Sequence, residues 1–536
     1  MAAPTGIDSL PQHILAEIAS FFNDVEFQRP LLATVSRQWQ LAVEPLTFRS
    51  IRLQSSETEY FQNTILKQSH RRPFINRFDF TIILPRYPDE SKFRFESESE
   101  KTANTEAFTA AIQDLFAILH GCDINRDGSI DLRIVDAYSP SDHEPFVERL
   151  PPASDTPTIS FHGIELGPMR HSYSQLQLLT TDLPMIPVVK HFFVAAQHRS
   201  ISPRAVMGMV TKFSNLQTFK MRTRDQETRY PEFREDFRTD FANAIPINST
   251  ALSGLRSFHL NMIDPEFCES TVGRAGRSPN YKVDRLSDSI RSMTTPLHDL
   301  RELSLRGVFD EWLLWPGPKA ALSEPYWQNL ERLAVEFFTA RPTGGYFYRL
   351  KTSRAATRPT TNTPPPLETM SSDDDEWLPV EPFTEDRRGH HPTTRTLHAV
   401  PMDDTLEPLM ESFARACLQI PTLKTAFLGT AVPLDPLDED TAEEEAETYT
   451  KSFWGVIYMS PRARPFKTPI LLNYAFRQNR EQRRLVWVTD KWIPSDHVHD
   501  LFLGIGKEMH GGAMLEQFLE TRAIPWGSRT PGPNDA

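Results

Sequence analysis

The 536-residue sequence contains few cysteines, fewer cationic than anionic side chains, and no long hydrophobic run. Its three cysteines, Cys122, Cys268 and Cys417, are far apart and leave one unpaired in any pairing, which argues against a secreted disulfide scaffold and a cysteine-based zinc site. Lys and Arg number 58 against 71 Asp and Glu, so the formal net charge of −13 argues against binding to nucleic acid or to an anionic membrane. No apolar run is long enough to span a bilayer, and the first ten residues lack the pattern of a signal peptide. We therefore expect a soluble protein of the cytoplasm or the nucleus.

Proline, in contrast, is abundant. It accounts for 44 of the 536 residues, whereas the average usage of about 5% would place roughly 27 in a chain of this length. Because proline interrupts helices and central strands, this content favours many short elements joined by turns and argues against a long helical bundle.

The first fifty residues contain three short segments with the spacing of helices. The first follows Leu10 and Pro11 and repeats apolar residues on one helical face: Ile14, Leu15, Ile18, Phe21 and Phe22. Ser36 is a candidate N-cap for the third segment, which carries Trp39 and which Pro45 is expected to end. A strand should follow over 46–53, where apolar residues alternate. Such short helices cannot bury all of their apolar surface alone, so the excess should contact the rest of the chain or a partner.

This region resembles an F-box. The pattern comprises Leu10-Pro11-x-x-Ile14-Leu15-x-x-Ile18, then Val35-Ser36-Arg37-x-Trp39, then Leu46-x-Phe48-Arg49-Ser50-Ile51. In that family the motif is a three-helix module that binds the Skp-type adaptor of a cullin–RING ubiquitin ligase. The resemblance implies that Val35 and Trp39 hold the module together, and that the residues facing the adaptor are Leu10, Pro11, Ile14, Leu15 and Ile18. The chain departs from the pattern at His13, where an acidic residue is common, and at Ser36, where a cysteine is common. A helical cap on a larger domain is the alternative interpretation.

The remainder of the chain repeats a helix, a turn and a short strand. The strand pattern Leu-x-x-[Leu or Phe]-x-apolar begins at Leu216, Leu255, Leu300 and Leu330, and a looser version begins at Leu423. This unit predicts a mixed α/β fold, in the form of an irregular leucine-rich-repeat-like α/β solenoid. The spacings of 39, 45, 30 and 93 residues exceed the roughly 20–29 of regular leucine-rich repeats, so an ordinary doubly wound α/β domain is the alternative. The order of elements also resembles a large group of fungal F-box proteins with an uncharacterised region after the box.

Composition divides the chain into segments. One stretch is rich in Thr, Ser, Pro and Asp, which predicts a disordered insertion. It contains Ser371 and Ser372 before an acidic run, and these serines are either phosphorylation sites or part of a solvated spacer. Strands over 454–459 and 484–488 and a helix over 498–509 should close the fold. The predicted segments are an F-box over 4–53, a repeat-like α/β region over 54–350, a disordered insertion over 351–396, the closing α/β part over 397–520 with an acidic loop over 435–448, and a flexible tail over 521–536.

Motifs for metal or nucleotide chemistry are incomplete. The segment Asp123-x-Asn125-x-Asp127-Gly128 begins like a calcium-binding loop, but the twelfth position holds Ile134, where a bidentate glutamate is needed. Gly504-x-Gly506-Lys507 lacks the length of a phosphate-binding loop and predicts a break in a helix. The sequence therefore predicts no cofactor, no metal site and no catalytic residue.

The resemblance to an F-box implies a substrate-recognition adaptor of a Skp–cullin–F-box ubiquitin ligase, and the sequence shows no catalytic motif, so we expect a protein that is not itself an enzyme. Its expected partners are the Skp-type adaptor, the cullin scaffold and a protein substrate bound by the region after the box. The first alternative is a protein-interaction scaffold without a ligase partner, which the departure at His13 favours. The second is an enzyme, which would need titratable residues that come together only in the folded chain.

Overall fold

In the computed structural model the chain forms two compact units, which meet in sequence between Phe219 and Lys220. The described residues are 10–22, 28–93, 95–121, 129–142, 170–171, 174–195, 198–225, 231–245, 250–263, 283–316, 327–343, 345–350, 398–433, 450–464, 479–489, 492–519 and 523–525. The predicted insertion, the acidic loop and the segment Asp123-x-Asn125-x-Asp127-Gly128 lie outside these ranges.

The first unit combines three N-terminal helices with a parallel sheet. Strands β1 to β4 are neighbours in chain order and run parallel, so that Leu53, Phe80 and Ile134 lie beside one another on successive strands. Its elements are α1 (Gln12–Ser20), α2 (Gln28–Leu32), α3 (Arg37–Thr47), β1 (Ser50–Gln54), α4 (Thr58–Phe61), β2 (Arg77–Ile83), α5 (Glu98–Gly121), β3 (Ile130–Tyr138), β4 (Val189–Val194) and α6 (Pro203–Val210).

Helix α5 shows how apolar spacing positions an element in this unit. Ile112, Leu115 and Phe116 recur at helical spacing and are fully buried, as the sequence predicts for the face of the helix that packs on the core. The Phe116 ring stacks on Phe213 at 5.5 Å between centroids, and Phe213 meets the edge of Phe192 on β4 at 4.9 Å. Aromatic packing therefore joins the helix to the sheet.

The second unit begins within β5 (Thr218–Arg224) and is also mixed α/β. Strands β6, β7, β8 and β11 are parallel neighbours, while β12 pairs antiparallel with both β11 and β13. Its further elements are α7 (Pro231–Ala244), β6 (Ser257–Ile263), α8 (Arg285–Thr294), β7 (Glu302–Gly307), β8 (Arg332–Phe337), β9 (Tyr348–Leu350), β10 (His398–Pro401), α9 (Asp403–Gln419), β11 (Thr425–Pro433), β12 (Thr450–Met459), β13 (Arg483–Val488), α10 (Asp496–Gly504), α11 (Lys507–His510), β14 (Met514–Leu519) and β15 (Ala523–Pro525).

The repeated leucine pattern forms the buried side of this second sheet. Phe258, Leu303 and Leu333 lie opposite one another on β6, β7 and β8, and all are at most 1% exposed. The predicted mixed α/β fold is thus confirmed, and so are strands after Leu255, Leu300 and Leu330. Strands β1 to β4 in the first unit and β5 to β8 in the second lie in chain order, without the reversal that a doubly wound sheet requires.

The prediction of one continuous last helix over 498–509 is wrong. Two helices, α10 and α11, occupy this stretch, and Gly506 between them has a φ of +66°, a left-handed conformation that glycine tolerates best. A Cβ at this position would lie 2.1 Å from the Tyr458 hydroxyl oxygen. Gly506 thus lies at the break between the two helices, as the motif Gly504-x-Gly506-Lys507 predicts.

Three residues of the predicted flexible tail are paired in the sheet. Strand β15 runs antiparallel to β12, with Ile524 opposite Lys451. The described tail residues therefore hydrogen-bond as a strand, a non-local pairing that tail composition does not reveal.

Candidate functional site

The N-terminal helices form a small module with its own apolar core. Leu15 and Ala19 of α1 pack with Trp39, Ala42 and Val43 of α3, and each is at most 3% exposed. These positions are spaced three or four residues apart within each helix, so each helix turns one stripe toward the other. A core of this size holds three short helices together but cannot bury all of their apolar residues.

Helix α3 begins as the sequence predicts but does not end at Pro45. The Ser36 side chain accepts a hydrogen bond from the Trp39 backbone N–H at 3.4 Å, which makes it the N-cap. Pro45 lies inside the helix, where its missing N–H leaves the Leu41 carbonyl without its helical donor. The Gln12 side-chain amide donates to that carbonyl at 3.2 Å, so α1 supplies the hydrogen bond that Pro45 cannot. The predicted strand start at residue 46 is therefore wrong, and β1 begins at Ser50.

The module exposes an unusual share of its large apolar side chains. Phe21, Leu31, Val35 and Leu41 are 81%, 63%, 59% and 48% exposed, respectively. They are four of the eleven exposed large apolar side chains among all described residues, although the module supplies only a small part of those residues. Exposed apolar residues at this density are typical of a surface that a partner covers.

The structure revises two of the seven predicted site residues. Leu15 is completely buried in the module core, whereas the resemblance implies that it faces the adaptor. Val35 is predicted to hold the module together but is exposed, because it lies in the turn before α3 rather than on a packed helical face. Trp39 is buried, as predicted. Pro11 is exposed, and Leu10, Ile14 and Ile18 are half-buried.

Sequence reasoning missed two exposed leucines, Leu31 and Leu41. Leu31 lies in α2, outside the positions that the F-box pattern covers. Leu41 lies two positions after Trp39, so helical geometry places it away from the Trp39 stripe. This offset is a sequence signal, but it becomes informative only when the buried stripe is known.

A buried ion pair connects the module to the segment that precedes β2. Glu44 of α3 accepts hydrogen bonds from Arg71 Nη2 at 2.7 Å and from Gln40 Nε2 at 3.0 Å, and His70 Nε2 lies 3.3 Å away. Burial alone would raise the pKa of Glu44, but these hydrogen bonds and the charges of Arg71 and His70 hold that pKa below its ordinary value. The Arg71 guanidinium also lies 4.8 Å above the Phe48 ring. The module is thus fastened to the first unit rather than joined to it by a loose linker.

The first unit contains a buried cluster of titratable side chains near the ends of its strands. Arg199 binds Glu96 at 2.6 Å and Asp142 at 3.2 Å, and His171 Nε2 lies 3.3 Å from Asp142. Burial alone would raise the pKa of Asp142, but the His171 hydrogen bond and the Arg199 charge hold that pKa well below its ordinary value. The adjoining recess, lined in part by Glu96 and Arg199, has a volume of about 10 Å³, which is about the space of one water molecule and far below the roughly 300–1,000 Å³ of small-molecule sites. The side chains of this cluster are therefore paired with one another, as in ion pairs that hold packed segments together.

A second buried cluster surrounds Arg238 in the second unit. Arg238 donates to both oxygens of Asp284, at 2.6 and 3.1 Å, and to Asp225 at 3.2 Å. Asp310 accepts from the Asp284 backbone N–H at 3.1 Å, and burial, together with the charges of Asp284 and Glu311, raises the pKa of Asp310 to about 8. These residues join α7, α8 and the turn after β7, so the cluster ties the repeats together.

The described residues offer no other obvious chemistry. Within them, no group of three or more His, Cys, Asp or Glu side chains has the geometry to hold a metal ion. Likewise, none of the described helices is long and apolar enough to cross a membrane. Cys417 of α9 is buried, and burial raises the pKa of its thiol well above the ordinary value.

Comparison of the sequence with protein-family models and with curated proteins yields no match. The F-box resemblance therefore rests on the quoted N-terminal residues.

Proposed function

We propose that the chain is the substrate-recognition adaptor of a Skp–cullin–F-box ubiquitin ligase. In this proposal the N-terminal module binds the Skp-type adaptor, which links it to the cullin, and the region after the module binds a protein substrate. The observation that carries the proposal is a module with its own closed core that still exposes Leu31, Val35 and Leu41. Such a surface is costly to leave in water, and covering it supplies binding energy.

The proposed binding surface differs from the one that the resemblance implies. It retains Leu10, Pro11, Ile14 and Ile18, but it omits Leu15 and adds the exposed apolar residues: Leu31, Val35 and Leu41. The Glu44–Arg71 pair supports the proposal further, because a module fastened to its own unit holds a bound adaptor at a defined place on that unit.

For the region after the module, we infer an irregular leucine-rich-repeat-like α/β solenoid. The parallel order of β6, β7 and β8, each carrying the leucine pattern, supports this inference. In this role the chain breaks and forms no bond itself. It raises the effective concentration of substrate lysines near a ubiquitin-conjugating enzyme that the ligase recruits.

Co-expression of the full chain with a tagged Skp-type adaptor tests the proposal. We expect the wild-type chain to co-purify with the adaptor and the cullin, and both Leu10→Ala/Pro11→Ala and Leu31→Asp/Val35→Asp to lose both partners. These variants change exposed or half-buried residues and should leave the fold intact. The matched control is Tyr60→Asp, an equally apolar-to-acidic change at a 69% exposed position outside the module, which should retain both partners.

Two results would reject this assignment. A wild-type chain that retains neither partner would leave the module as a helical cap and favour an interaction scaffold without a ligase. Variants that bind as well as Tyr60→Asp would show that the adaptor contacts a different surface.

A further inference from the structure

The sheet of the second unit ends at β14. Among the described residues, β14 pairs only with β13, in parallel register from Met514 opposite Arg483 to Leu519 opposite Val488. The other edge of β14 therefore carries backbone N–H and C=O groups that a further strand would satisfy. Proteins usually protect such edges with lysine, proline or a bulge, and β14 contains none of these. This edge is thus suited to pairing with another chain.

The one charged side chain of β14 is bound within its own unit. Glu516 Oε1 accepts a hydrogen bond from Trp487 Nε1 at 2.7 Å and lies 2.6 Å from His499 Nε2 of α10. The Trp487 ring also stacks with the Phe518 ring, at 6.3 Å between centroids. Phe518 itself is 52% exposed. On this side of β14, the carboxylate is therefore engaged, and an apolar ring is left partly in solvent at the edge.

The other side of β14 continues an apolar layer of the sheet. Because side chains alternate along a strand, Leu515, Gln517 and Leu519 lie on the side away from Glu516. Leu519 packs against a cluster of buried side chains, namely Ile457, Met459, Val486 and Val488. The three β14 side chains on this side are only half-buried, so the layer stops at the edge. A further strand with leucines at matching positions would extend this layer.

The sequence of β14 provides such a strand to a second copy of itself. When a two-fold axis relates two antiparallel strands, the axis passes between the two copies of one residue. With the axis at Gln517, Leu515 lies opposite Leu519 of the second copy, so that leucines pair with leucines. Phe518 then lies diagonal to Phe518 of the second copy, roughly 7 Å away and within reach of an aromatic contact. An axis at Glu516 would place two like charges opposite each other, which is unfavourable.

We propose that two copies of this chain associate through antiparallel pairing of their β14 edges, with the two-fold axis at Gln517. One pairing satisfies the backbone groups of both edges and covers Phe518 and the leucines of both copies. Six residues from each copy bury less than the roughly 1,600 Å² of a standard interface, so we expect a dissociation constant of about 10 µM. The inference goes beyond the proposed function, which requires no second copy.

Sedimentation velocity of the full chain from about 1 to 100 µM tests this inference. We expect the wild type to change from monomer to dimer across this range. Gln517→Lys and Gln517→Glu each place like charges opposite each other and should each raise the dissociation constant about fivefold or more. An equimolar mixture of these two variants should associate at least as well as the wild type, because the ammonium group of one then lies opposite the carboxylate of the other.

A second pair of variants separates the edge from the rest of the unit. Phe518→Lys places an ammonium group at the exposed edge and should weaken association about tenfold, because charged side chains protect edge strands from pairing. Met509→Lys is the matched control, since it makes the same kind of change at a 61% exposed position outside β14. It should associate like the wild type.

Three results would overturn the inference. The first is a wild type that stays monomeric at about 100 µM; protection of its β14 amides from hydrogen exchange would then show that another segment of the same chain occupies the edge. The second is a mixture of Gln517→Lys and Gln517→Glu that associates no better than either variant alone. The third is a Met509→Lys variant that associates as weakly as Phe518→Lys. Adaptor co-purification tests the ligase proposal separately, and neither result decides the other.

Discussion

The N-terminal module and the parallel sheet of the second unit use apolar residues in different ways. The module buries a five-residue core and leaves four large apolar side chains exposed. Over 220–350, by contrast, the described residues include no exposed large apolar side chain, and the outward face of the strands is polar and charged. Three short helices have too little interior for their apolar content, whereas a sheet that gains strands buries one whole face. The difference predicts apolar docking at the module.

The two regions also differ in how they hold buried charge. Among its described residues the module has one buried carboxylate, Glu44, which is paired with Arg71. The second unit buries Arg238 with Asp225, Asp284 and Asp310, an excess of carboxylates over cations. Such a cluster is strongly destabilising when its cation is removed. We therefore expect the second unit to be more sensitive than the module to loss of one charge, and the module to be more sensitive to loss of one apolar side chain.

The largest effect is expected for Arg238→Met. This change removes the cation that is paired with the buried carboxylates of Asp225 and Asp284 and should lower the free energy of unfolding by about 3–5 kcal/mol. Thermal unfolding followed by circular dichroism measures it. Arg462→Met, which removes an exposed cation paired with Glu481, is the control and should cost less than about 1 kcal/mol. Equal effects of the two changes would show that the cluster contributes no more than a surface ion pair.

Leu15→Ala should have the next largest effect. It removes a fully buried side chain from a five-residue core, at a cost of about 2–5 kcal/mol. Hydrogen exchange should then lose protection in α1 and α3, and the adaptor should no longer co-purify. Leu333→Ala, the same truncation at a fully buried position of β8, is the matched control. If Leu333→Ala reduces the hydrogen-exchange protection of α1 as much as Leu15→Ala does, the module does not have an independent core.

Raising the pH should destabilise the second unit. Because the pKa of Asp310 is raised from 3.8 to about 8, the folded state holds a proton that the unfolded state releases at neutral pH. The stabilising contribution is complete below pH 3.8 and is lost as the pH rises through 8, with a slope of about 1.4 kcal/mol per pH unit at most. Melting temperatures between pH 6 and 9 should fall for the wild type and stay flatter for Asp310→Asn. The same slope in both proteins would show that another group titrates.

The smallest effect is expected for Gln12→Ala. It removes the donor to the Leu41 carbonyl, which Pro45 leaves without a helical partner, and should cost about 1 kcal/mol. Faster hydrogen exchange in α3 would report the change. Adding Pro45→Ala restores a backbone donor, so the double variant should recover much of the loss. If it does not, the side-chain bond from Gln12 is not the link between α1 and α3.

Sequence periodicity alone determined most of the local structure. The Leu-x-x-Leu-x-Leu pattern at Leu300 specifies a strand with one buried face, and the spacing of Ile112, Leu115 and Phe116 specifies the core face of α5. Ser36 specifies the start of α3 because its short side chain satisfies a free N–H of the first turn. These features depend on neighbours within one element, so they can be predicted from the sequence.

Only the tertiary structure decided which faces meet and which charges are buried together. Periodicity groups Leu15 with Ile14 and Ile18 but does not say that, of these three, only Leu15 is fully buried, nor that Val35 stays in solvent. Arg238 and Asp284 are 46 residues apart, and no spacing rule connects them. The raised pKa of Asp310 likewise follows from burial beside Asp284, a property of the packed chain. Contacts between distant segments determine burial and electrostatics, and those contacts exist only once the chain has folded.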